Sequence, residues 1–432
     1  MGLLVTLARQ HGHPFDVLSL KAMHSWAELR MAAKGYDVAC MNVRSWRWRW
    51  AAKAAEVIKR ASPNCQVWAG GFHATVAPQE MLSVPHFDVV VSRQAEGTFL
   101  ALLDGLVPKG RLVEGDVGKY ASLDDLPFVD RGLWPRPPGD AAWPLEGPGG
   151  WGPGPRAATM LTARRCPFHC HFCWPAEANH FGHLRRRSVG NVIAELNEIE
   201  RRWGEFGTVV YHDSEFFMQR HWLEEYLERY PRETRVWPFW ASCRSDMVAK
   251  WPDLAEALIR DANWHVISLG FESGSDRVLK LLNKGCTVAQ HEAAIELVNR
   301  IGDDMEAQGK MPPVIFSNVM LAIPGEEPED AFATLRLMGK VKRNIPSISW
   351  YTPYPGSAMG DRLIAEGRSL DSGKQYMRFP SEAKVSGVDY QFYIDLWNGR
   401  YDKEIGMPMG RLLMAQGKTG LEKTDGHLSE LV

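Results

Sequence analysis

Three cysteines lie close together near the middle of the 432-residue chain, at Cys166, Cys170 and Cys173. This spacing places three thiols on one short loop, directly after a stretch with the pattern of a β-strand. Thiolates are soft ligands that select iron–sulfur clusters or zinc, so the loop can bind three irons of a four-iron cluster and leave the fourth iron open to a substrate. A zinc site with His169 or His171 as fourth ligand is the alternative, although such sites usually consist of two separated ligand pairs.

The composition excludes several other classes of protein. Fifty Lys and Arg residues face 52 Asp and Glu residues, so the chain lacks the positive excess of a strongly basic nucleic-acid-binding protein. Hydrophobic residues make up 45% and charged residues 24%, which is typical of a soluble globular protein and not of a disordered chain. No stretch is apolar and uncharged over the length of a membrane helix. The seven cysteines are an odd number in a long chain, which favours a reducing, cytoplasmic compartment.

An alternation of strand and helix patterns surrounds the cysteines over residues 156–359. The pattern predicts a complete or partial parallel barrel, whose site lies at the carboxyl ends of its strands. The cysteine loop follows the first of these strands. The candidate strands are Ala157–Ala163, Thr208–Tyr211, Val236–Ala241, His265–Gly270, Val314–Ile323 and Ser347–Tyr351.

Residues 1–126 show the same alternation and predict a separate parallel α/β sheet, which also binds ligands at the carboxyl ends of its strands. Residues 127–155 contain eight Pro and seven Gly, a density that predicts an interdomain linker. We interpret residues 360–432 as a small C-terminal appendage. The candidate strands of the first domain are Phe15–Leu20, Tyr36–Val43, Gln66–Ala69 and Phe87–Ser92.

The cysteine segment resembles the Cys-x3-Cys-x2-Cys motif of the radical S-adenosylmethionine (SAM) superfamily. In that family the open iron of a 4Fe-4S cluster chelates the amino and carboxylate groups of SAM, and the reduced cluster cleaves SAM to a 5′-deoxyadenosyl radical. Phe172 matches the aromatic or apolar residue that lies by the adenine. The resemblance therefore implies a partial (β/α)6 radical SAM barrel.

Further motifs resemble one large branch of that superfamily and imply contacts to SAM. The run Gly270-Phe-Glu272-Ser273-Gly274-Ser275 matches its Gly-x-Glu-Ser-Gly-Ser pattern, so Glu272 and Ser273 are expected to bind SAM. Asp213 and Arg244, each after a predicted strand, are expected to contact the ammonium and the carboxylate of SAM. Helix capping by Ser273 or Asp213 and a surface salt bridge of Arg244 are the structural alternatives.

The N-terminal domain resembles the cobalamin-binding domain of the same branch, because Gly70-Gly71-Phe-His73-Ala74-Thr75 matches a Gly-Gly-x-His-x-Thr loop. A tight turn without a ligand is the alternative. The resemblance implies a Rossmann-like domain without its usual first strand. It also lacks the Asp-x-His-x-x-Gly motif that supplies a lower axial ligand to cobalt. The implied cobalamin contacts are Asn42, Ser45, Gly70, Gly71, His73, Thr75 and Glu96.

The resemblance as a whole implies a radical SAM enzyme that uses a 4Fe-4S cluster, SAM and cobalamin, and that methylates an unactivated carbon. One alternative is an enzyme with a degenerate cobalamin domain that catalyses cyclisation or rearrangement. Another is a non-enzymatic iron–sulfur or zinc module. The expected partners are a small-molecule or peptide substrate and an external electron donor of the flavodoxin or ferredoxin type, without nucleic acid.

Overall fold

A computed structural model describes residues 1–18, 20, 23–133, 157–174, 184–204, 206–371, 376–378, 380, 382–410 and 412. From residue 134 onward, the predicted linker lies outside the described residues. In the described part of the chain, no helix combines the length and the apolar character needed to cross a membrane.

The N-terminal domain is built around a parallel sheet, which confirms the predicted α/β class. Its strands pair in the order β1 (Val38–Asn42), β2 (Gln66–Gly70), β3 (Val89–Ser92) and β4 (Leu112–Glu114). Its helices are α1 (Gly2–Gln10), α2 (Trp26–Ala32), α3 (Trp48–Ala61), α4 (Phe72–Val76), α5 (Pro78–Leu82) and α6 (Glu96–Leu103).

The strand predicted at Phe15–Leu20 is wrong, because residues 15–18 and 20 form no strand. Phe15 instead packs against Phe99 of α6 with ring centroids 5.9 Å apart, and its carbonyl accepts a hydrogen bond from Arg9. A strand needs a neighbour that pairs with its backbone groups, and within the described ranges β1 pairs only with β2. The apolar pattern of this stretch therefore packs onto the domain without entering its sheet.

The second domain is an open parallel sheet of six strands, which confirms the predicted partial barrel. The strand order is β12, β11, β10, β9, β8, β5. A short antiparallel pair, β6 (Ala163–Arg164) with β7 (Arg185–Arg186), follows the first strand in the chain. The barrel strands are β5 (Ala157–Met160), β8 (Thr208–Tyr211), β9 (Phe239–Cys243), β10 (Trp264–Glu272), β11 (Val314–Leu321) and β12 (Asn344–Trp350).

Most helices of this domain pack on one face of the sheet, where they bury the largest hydrophobic core, whereas the helices Asp276–Leu281 and Ala358–Ala365 contribute to a separate cluster. Phe239 and Ala241 of β9 point into that core, so Trp240 between them lies on the opposite, inner face with Val266 and Phe316. The helices are α7 (Val189–Trp203), α8 (Arg220–Glu233), α9 (Ser245–Lys250), α10 (Pro252–Asp261), α11 (Asp276–Leu281), α12 (Val288–Ala307), α13 (Pro328–Gly339), α14 (Ala358–Ala365), α15 (Tyr390–Trp397) and α16 (Asp402–Ile405).

The described part of the predicted C-terminal appendage contributes to the barrel core. Tyr390, Leu396 and Ile405 are buried in the same hydrophobic cluster as the barrel strands. The domain boundaries at residues 126, 155 and 359 stay predictions, and this packing ties the last helices to the barrel.

Candidate functional site

The cysteine loop, residues 165–174, follows β5 and β6 at the carboxyl end of the barrel sheet. Hydrogen bonds join the backbone of this loop to two other segments of the barrel. The amide of His171 donates to the carbonyl of Leu282 (2.9 Å), and the amide of Met359 donates to the carbonyl of His171 (2.8 Å). The amide of Cys173 closes a turn onto the carbonyl of Cys170 at 3.0 Å. The ends of α11 and α14 therefore set the position of the loop.

The three thiols of the loop lie close enough to influence one another. Burial, together with a smaller contribution from the neighbouring Cys170 thiol, raises the pKa of Cys166 to about 11 and the pKa of Cys173 to about 12. The opposing, pKa-lowering charges come from Arg244 for Cys166 and from Arg378 for Cys173.

Arg244, predicted to contact SAM, links the end of β9 to the cysteine loop. Its buried guanidinium donates to Oδ1 of Asp246 (2.9 Å), to the carbonyl of Lys284 (2.5 Å) and to Sγ of Cys170 (3.6 Å). It also lies 3.9 Å from the ring centroid of Phe168. Arg244 is therefore not a surface salt bridge, and its positive charge faces the thiols.

The donor set fits an anionic cluster better than a single ion. Among the described residues, no group of three or more His, Cys, Asp or Glu side chains could hold a metal ion. The ligands of a four-iron cluster stand farther apart, since each thiolate binds a different iron. Three thiols facing the cations of Arg244, Lys284 and Arg378 suit such a cluster, because these cations offset the charge of thiolate ligands. His171, an alternative zinc ligand, places Nδ1 3.3 Å from the carbonyl of Leu281.

Glu272 and Phe172, both predicted SAM contacts, are brought together by Lys284. Oε1 of Glu272 lies 3.4 Å from Nζ of Lys284, which in turn lies 5.8 Å from the ring centroid of Phe172. Glu272 ends β10 with φ +65°, a backbone conformation that strains a side-chain-bearing residue and is common at functional sites. A Cβ atom on Gly270 would lie 2.9 Å from Oε1 of Glu272, so glycine leaves the room that this carboxylate occupies.

The other two predicted SAM contacts use their polar atoms within the protein. Oδ1 of Asp213 accepts hydrogen bonds from the amides of Thr162 (2.7 Å) and Ala163 (3.2 Å), and burial raises the pKa of Asp213 despite them. Oγ of buried Ser273 lies 3.2 Å from Oγ1 of Thr334. Both residues thus hold loops at the carboxyl ends of barrel strands.

The predicted cobalamin loop joins the ends of β1 and β2. Gly71 has φ +98°, and a Cβ atom there would lie 2.3 Å from Oδ1 of Asn42 and 3.0 Å from the amide nitrogen of Val43. The hydroxyl of Thr75 donates to the carbonyl of Gly71 at 3.0 Å. The paired glycines, Gly70 and Gly71, therefore let the two strand ends approach each other, while Asn42 stays exposed.

His73 is completely buried, and other side chains surround its ring. Nδ1 lies 3.2 Å from Oγ of Ser45, and Nε2 lies 3.3 Å from Oε2 of Glu80. The ring stacks on Trp48 with centroids 5.3 Å apart. Tyr376, which follows the barrel in the chain, donates to Oε1 of Glu80 at 2.9 Å and closes the other side.

Glu96, also a predicted cobalamin contact, forms an ion pair between the two domains. Its buried carboxylate accepts a hydrogen bond from Arg164 of β6. Oε1 of Gln94 accepts from the same arginine at 3.0 Å and also from Arg185 of β7. Arg185 further donates to the carbonyl of Tyr120 at 2.7 Å.

These contacts place the ligand-binding ends of the two sheets face to face. Phe72, directly after the paired glycines, lies 4.0 Å from Trp174, directly after the third cysteine, measured between ring centroids. A Cβ atom on Gly356, which follows β12, would lie 2.5 Å from Cβ of Val76 in α4. The loops that carry the predicted cobalamin and cluster sites therefore touch.

Three charged residues near the cysteines were not predicted as site residues. Lys284 belongs to a Lys-Gly-x-Thr motif that the sequence displays, whereas no pattern linked Arg378 to the loop. Glu215 lies within the electrostatic reach of Cys166, and burial raises the pKa of Glu215 to about 8 although Arg244 and Lys284 lower it.

Two family models match the chain: the B12 binding domain over residues 3–103 and the radical SAM superfamily over residues 160–338. These families imply cobalamin for the first domain, and a 4Fe-4S cluster with SAM for the second.

Two curated relatives are similar over most of the chain. An uncharacterized methyltransferase of Pyrococcus horikoshii is 26% identical over 72% of this chain and 66% of its own length. The anaerobic magnesium-protoporphyrin IX monomethyl ester cyclase of Cereibacter sphaeroides is 26% identical over 75% of this chain and 52% of its own length. The chain thus spans between half and two thirds of the length of these relatives.

The solved structure of the cobalamin-dependent SAM radical enzyme OxsB, with aqua-cobalamin and SAM bound, has a similar fold. It covers 94% of this chain with a TM-score of 0.56 and 14% sequence identity, and the match covers 58% of the OxsB chain. This likeness shows a shared fold, and the two family models identify the chain as a member of the radical SAM superfamily that carries an N-terminal B12-binding domain.

Proposed function

We propose that the protein is a cobalamin-dependent radical SAM enzyme that methylates an unactivated carbon. The observation that carries this proposal is the contact between the two ligand-binding edges, where Phe72 of the glycine loop meets Trp174 of the cysteine loop. Such an arrangement brings two cofactors to one cleft, so that a substrate between them reaches both. The methyltransferase name of the Pyrococcus relative supports methyl transfer.

At the carboxyl ends of the barrel strands, some residues would bind the cluster and others would orient SAM. Cys166, Cys170 and Cys173 would bind three irons, and Arg244 would stabilise the thiolates through its hydrogen bond to Cys170. Glu272, with Phe172 beside the same lysine, would orient SAM. One-electron cleavage of SAM and methyl transfer are the chemistry that the cluster and cobalamin supply when bound.

The residues of the N-terminal domain would act in two ways. Exposed Asn42 and the glycine backbone at residues 70–71 would contact cobalamin. Ser45, His73 and Thr75 would keep the loop in shape through their internal hydrogen bonds. Glu96 would hold the domain against the barrel.

Cyclisation or rearrangement is the second candidate, favoured by the likeness to the Cereibacter cyclase. The products from SAM distinguish the two. Methyl transfer consumes a second SAM and releases S-adenosylhomocysteine beside 5′-deoxyadenosine, whereas cyclisation releases 5′-deoxyadenosine without S-adenosylhomocysteine. A non-enzymatic iron–sulfur or zinc module would release neither.

The experiment is an anaerobic incubation of the reconstituted chain with cobalamin, SAM and a low-potential reductant. Without substrate, we expect 5′-deoxyadenosine from uncoupled cleavage of SAM by wild type, and S-adenosylhomocysteine in an amount no larger than the cobalamin present, because the methyl group can then go only to cobalamin. Joint replacement of Cys166, Cys170 and Cys173 by Ala should remove the iron and the 5′-deoxyadenosine. Cys40→Ala, a half-buried cysteine far along the chain from the loop, is the control and should keep iron and both products. Iron retained by the triple variant would refute the ligand assignment.

Glu272→Gln tests the assigned SAM contact separately from the cluster. This variant should keep its iron and bind SAM about tenfold or more weakly, because a charge-assisted hydrogen bond is lost. Unchanged SAM affinity with an intact cluster would refute the assignment. The remaining proposals are an external electron donor of the flavodoxin or ferredoxin type, a small-molecule or peptide substrate and a cytoplasmic location.

A further inference from the structure

Residues 376–378, which follow the barrel in the chain, are held against the end of its last strand. Three successive carbonyls of this segment accept hydrogen bonds from β12 and from the residues after it. The donors are the amide of Trp350 (3.1 Å) and the hydroxyls of Thr352 (2.8 Å) and Tyr354 (2.6 Å). The backbone of the segment therefore belongs to the barrel.

The side chain of Tyr376, in contrast, enters the N-terminal domain. Only 3% of Tyr376 is exposed, and it belongs to the same hydrophobic cluster as Val43 and Trp48. Its backbone has φ +54°, a conformation that costs free energy for a residue with a bulky side chain. The amide of Tyr376 donates to Oδ2 of Asp371 at 2.5 Å and stabilises this conformation. The backbone is thus strained at the residue whose ring crosses between the domains.

The hydroxyl of Tyr376 connects the segment to the glycine loop, residues 70–75. It donates to both carboxylate oxygens of Glu80, at 2.9 and 3.1 Å. Oε2 of Glu80 lies 3.3 Å from Nε2 of His73, which is fully buried. Burial and the charge of Glu80 raise the pKa of Tyr376, so the hydroxyl keeps its proton and remains the donor. A hydroxyl, a carboxylate and an imidazole therefore link the barrel to the glycine loop.

The loop after β12 joins the same segment to the cysteine loop. Within it, the ring of Tyr354 stacks on Tyr376 with centroids 6.0 Å apart. The hydroxyl of Ser357 donates to the carbonyl of Tyr354 at 2.8 Å and keeps the loop compact. Met359, in the first turn of α14, donates its amide to the carbonyl of His171 at 2.8 Å. A continuous set of contacts thus runs from the cysteine loop to the glycine loop.

We propose that Tyr376 is a positioning residue that fixes the glycine loop relative to the cysteine loop, through its hydrogen bonds to Glu80 and the contact of Glu80 with His73. This role rests on the proposed function, because it states what holds the two cofactor loops at a constant separation. The link itself needs no cofactor. Loss of the hydroxyl should loosen α4, which carries His73, and α5, which carries Glu80.

The first measurement is amide hydrogen exchange of the full chain without cofactors. Tyr376→Phe keeps the ring and removes only the hydroxyl. The amides of α4 and α5 should then exchange about tenfold faster, as expected for loss of a hydrogen bond to a carboxylate, while those of α7 should not change. Tyr36→Phe is the matched control, because it removes a hydroxyl that donates to Oδ2 of Asp16 at 2.7 Å within the N-terminal domain. It should leave the exchange of α4 and α5 unchanged.

A second variant tests the link from its other side. Glu80→Gln keeps an acceptor but removes the charge, so it should accelerate the same amides less than Tyr376→Phe does. The double variant should exchange little faster than Tyr376→Phe alone, because both changes break one link. Equal exchange in wild type and Tyr376→Phe, or additive effects in the double variant, would overturn the proposal.

The second measurement separates positioning from a general loss of structure, in the reconstituted chain with cobalamin, SAM and a low-potential reductant. S-adenosylhomocysteine forms when the methyl group leaves the sulfur of SAM for cob(I)alamin, which the reductant supplies, and this needs both loops. Release of 5′-deoxyadenosine needs the barrel alone. Tyr376→Phe should therefore keep its iron and lower the ratio of the initial rates at which the two products form.

An unchanged ratio beside faster exchange would overturn the positioning role, because the loosened loop would then not limit methyl transfer. A wild type that forms 5′-deoxyadenosine but no S-adenosylhomocysteine would instead refute methyl transfer. The link between the two loops would then stand or fall with the hydrogen exchange alone.

Discussion

Replacing Glu96 by Gln should weaken the contact between the two domains. The carboxylate of Glu96 is 5% exposed and pairs with Arg164 of the barrel. The charge of Glu96 also raises the pKa of Arg185, which burial and the charge of Arg164 lower. Without this charge, two neighbouring guanidinium groups keep Gln94 as a neutral shared acceptor. The interface would then contain uncompensated positive charge.

The size of the effect follows from the burial of the pair. Removing one partner of a buried ion pair costs about 3–5 kcal/mol. Arg164 is 23% exposed and keeps its hydrogen bond to Gln94, so solvent screens part of its charge and we expect about 2–3 kcal/mol. With a urea m value of about 1–3 kcal/mol per molar, the unfolding midpoint should fall by about 1 M.

The assay is urea unfolding of the full chain, followed by circular dichroism and by tryptophan fluorescence. Because two domains can unfold in separate transitions, the midpoint of the first transition is compared. Glu114→Gln is the control: its carboxylate is 68% exposed, pairs with an arginine that is 44% exposed, and contributes at most about 1 kcal/mol. Adding Gln94→Glu to Glu96→Gln should restore most of the loss, because Oε1 of Gln94 already contacts both arginines. Equal midpoints for Glu96→Gln and Glu114→Gln would refute the reasoning.

Three further predictions concern single side chains. Burial raises the pKa of Glu326 to about 8, so the folded protein keeps this carboxyl protonated and its stability falls as the pH rises from about 4.5 towards 8. The urea unfolding midpoint of Glu326→Gln should therefore match that of wild type at pH 4 and exceed it at pH 8.5. Gly71→Ala should lower the free energy of unfolding by more than the roughly 1 kcal/mol expected for Gly12→Ala, because both have positive φ but only Gly71 would place Cβ against Asn42. The electron paramagnetic resonance spectrum of bound cob(II)alamin should be the same in wild type and in His73→Asn, because both ring nitrogens of His73 face protein groups; nitrogen triplets present in wild type and lost in the variant would contradict this.

Elements with local start and stop signals could be predicted from the sequence. Such signals bound the helix Val189–Trp203: Oγ of Ser188 accepts from the amide of Asn191 at 3.2 Å at its start, and Gly204 ends it with φ +80°. The bounds of β9 could not be predicted as well. The expected Val236–Ala241 is observed as Phe239–Cys243, because the register with β10 decides which residues pair.

The cysteine loop could also be predicted, because its signal is local in the sequence. Its three thiols are four and three residues apart, so one loop displays the whole set. The charged residues around this loop could not be predicted, because Lys284 and Arg378 lie more than a hundred residues away in the sequence and approach the loop only in the folded chain. Nor does the sequence tell whether a polar atom at a strand end is free. Asp213 and Ser273 lie where expected, but burial requires hydrogen-bond partners for them, and the protein supplies these itself.

The glycine–histidine–threonine loop carries this reasoning one step further. In the folded domain Thr75 holds the carbonyl of Gly71, and its oxygen accepts from the amide of Arg93 at 2.8 Å, while His73 is enclosed. These side chains therefore cannot contact a ligand without giving up bonds that shape the loop. The space beside Gly71 is likewise taken by the protein, since a Cβ atom there would meet Asn42 and Val43 of the neighbouring strand end. The motif therefore needs glycine for the close approach of two strand ends, and it identifies a loop shape before it identifies any side-chain contact.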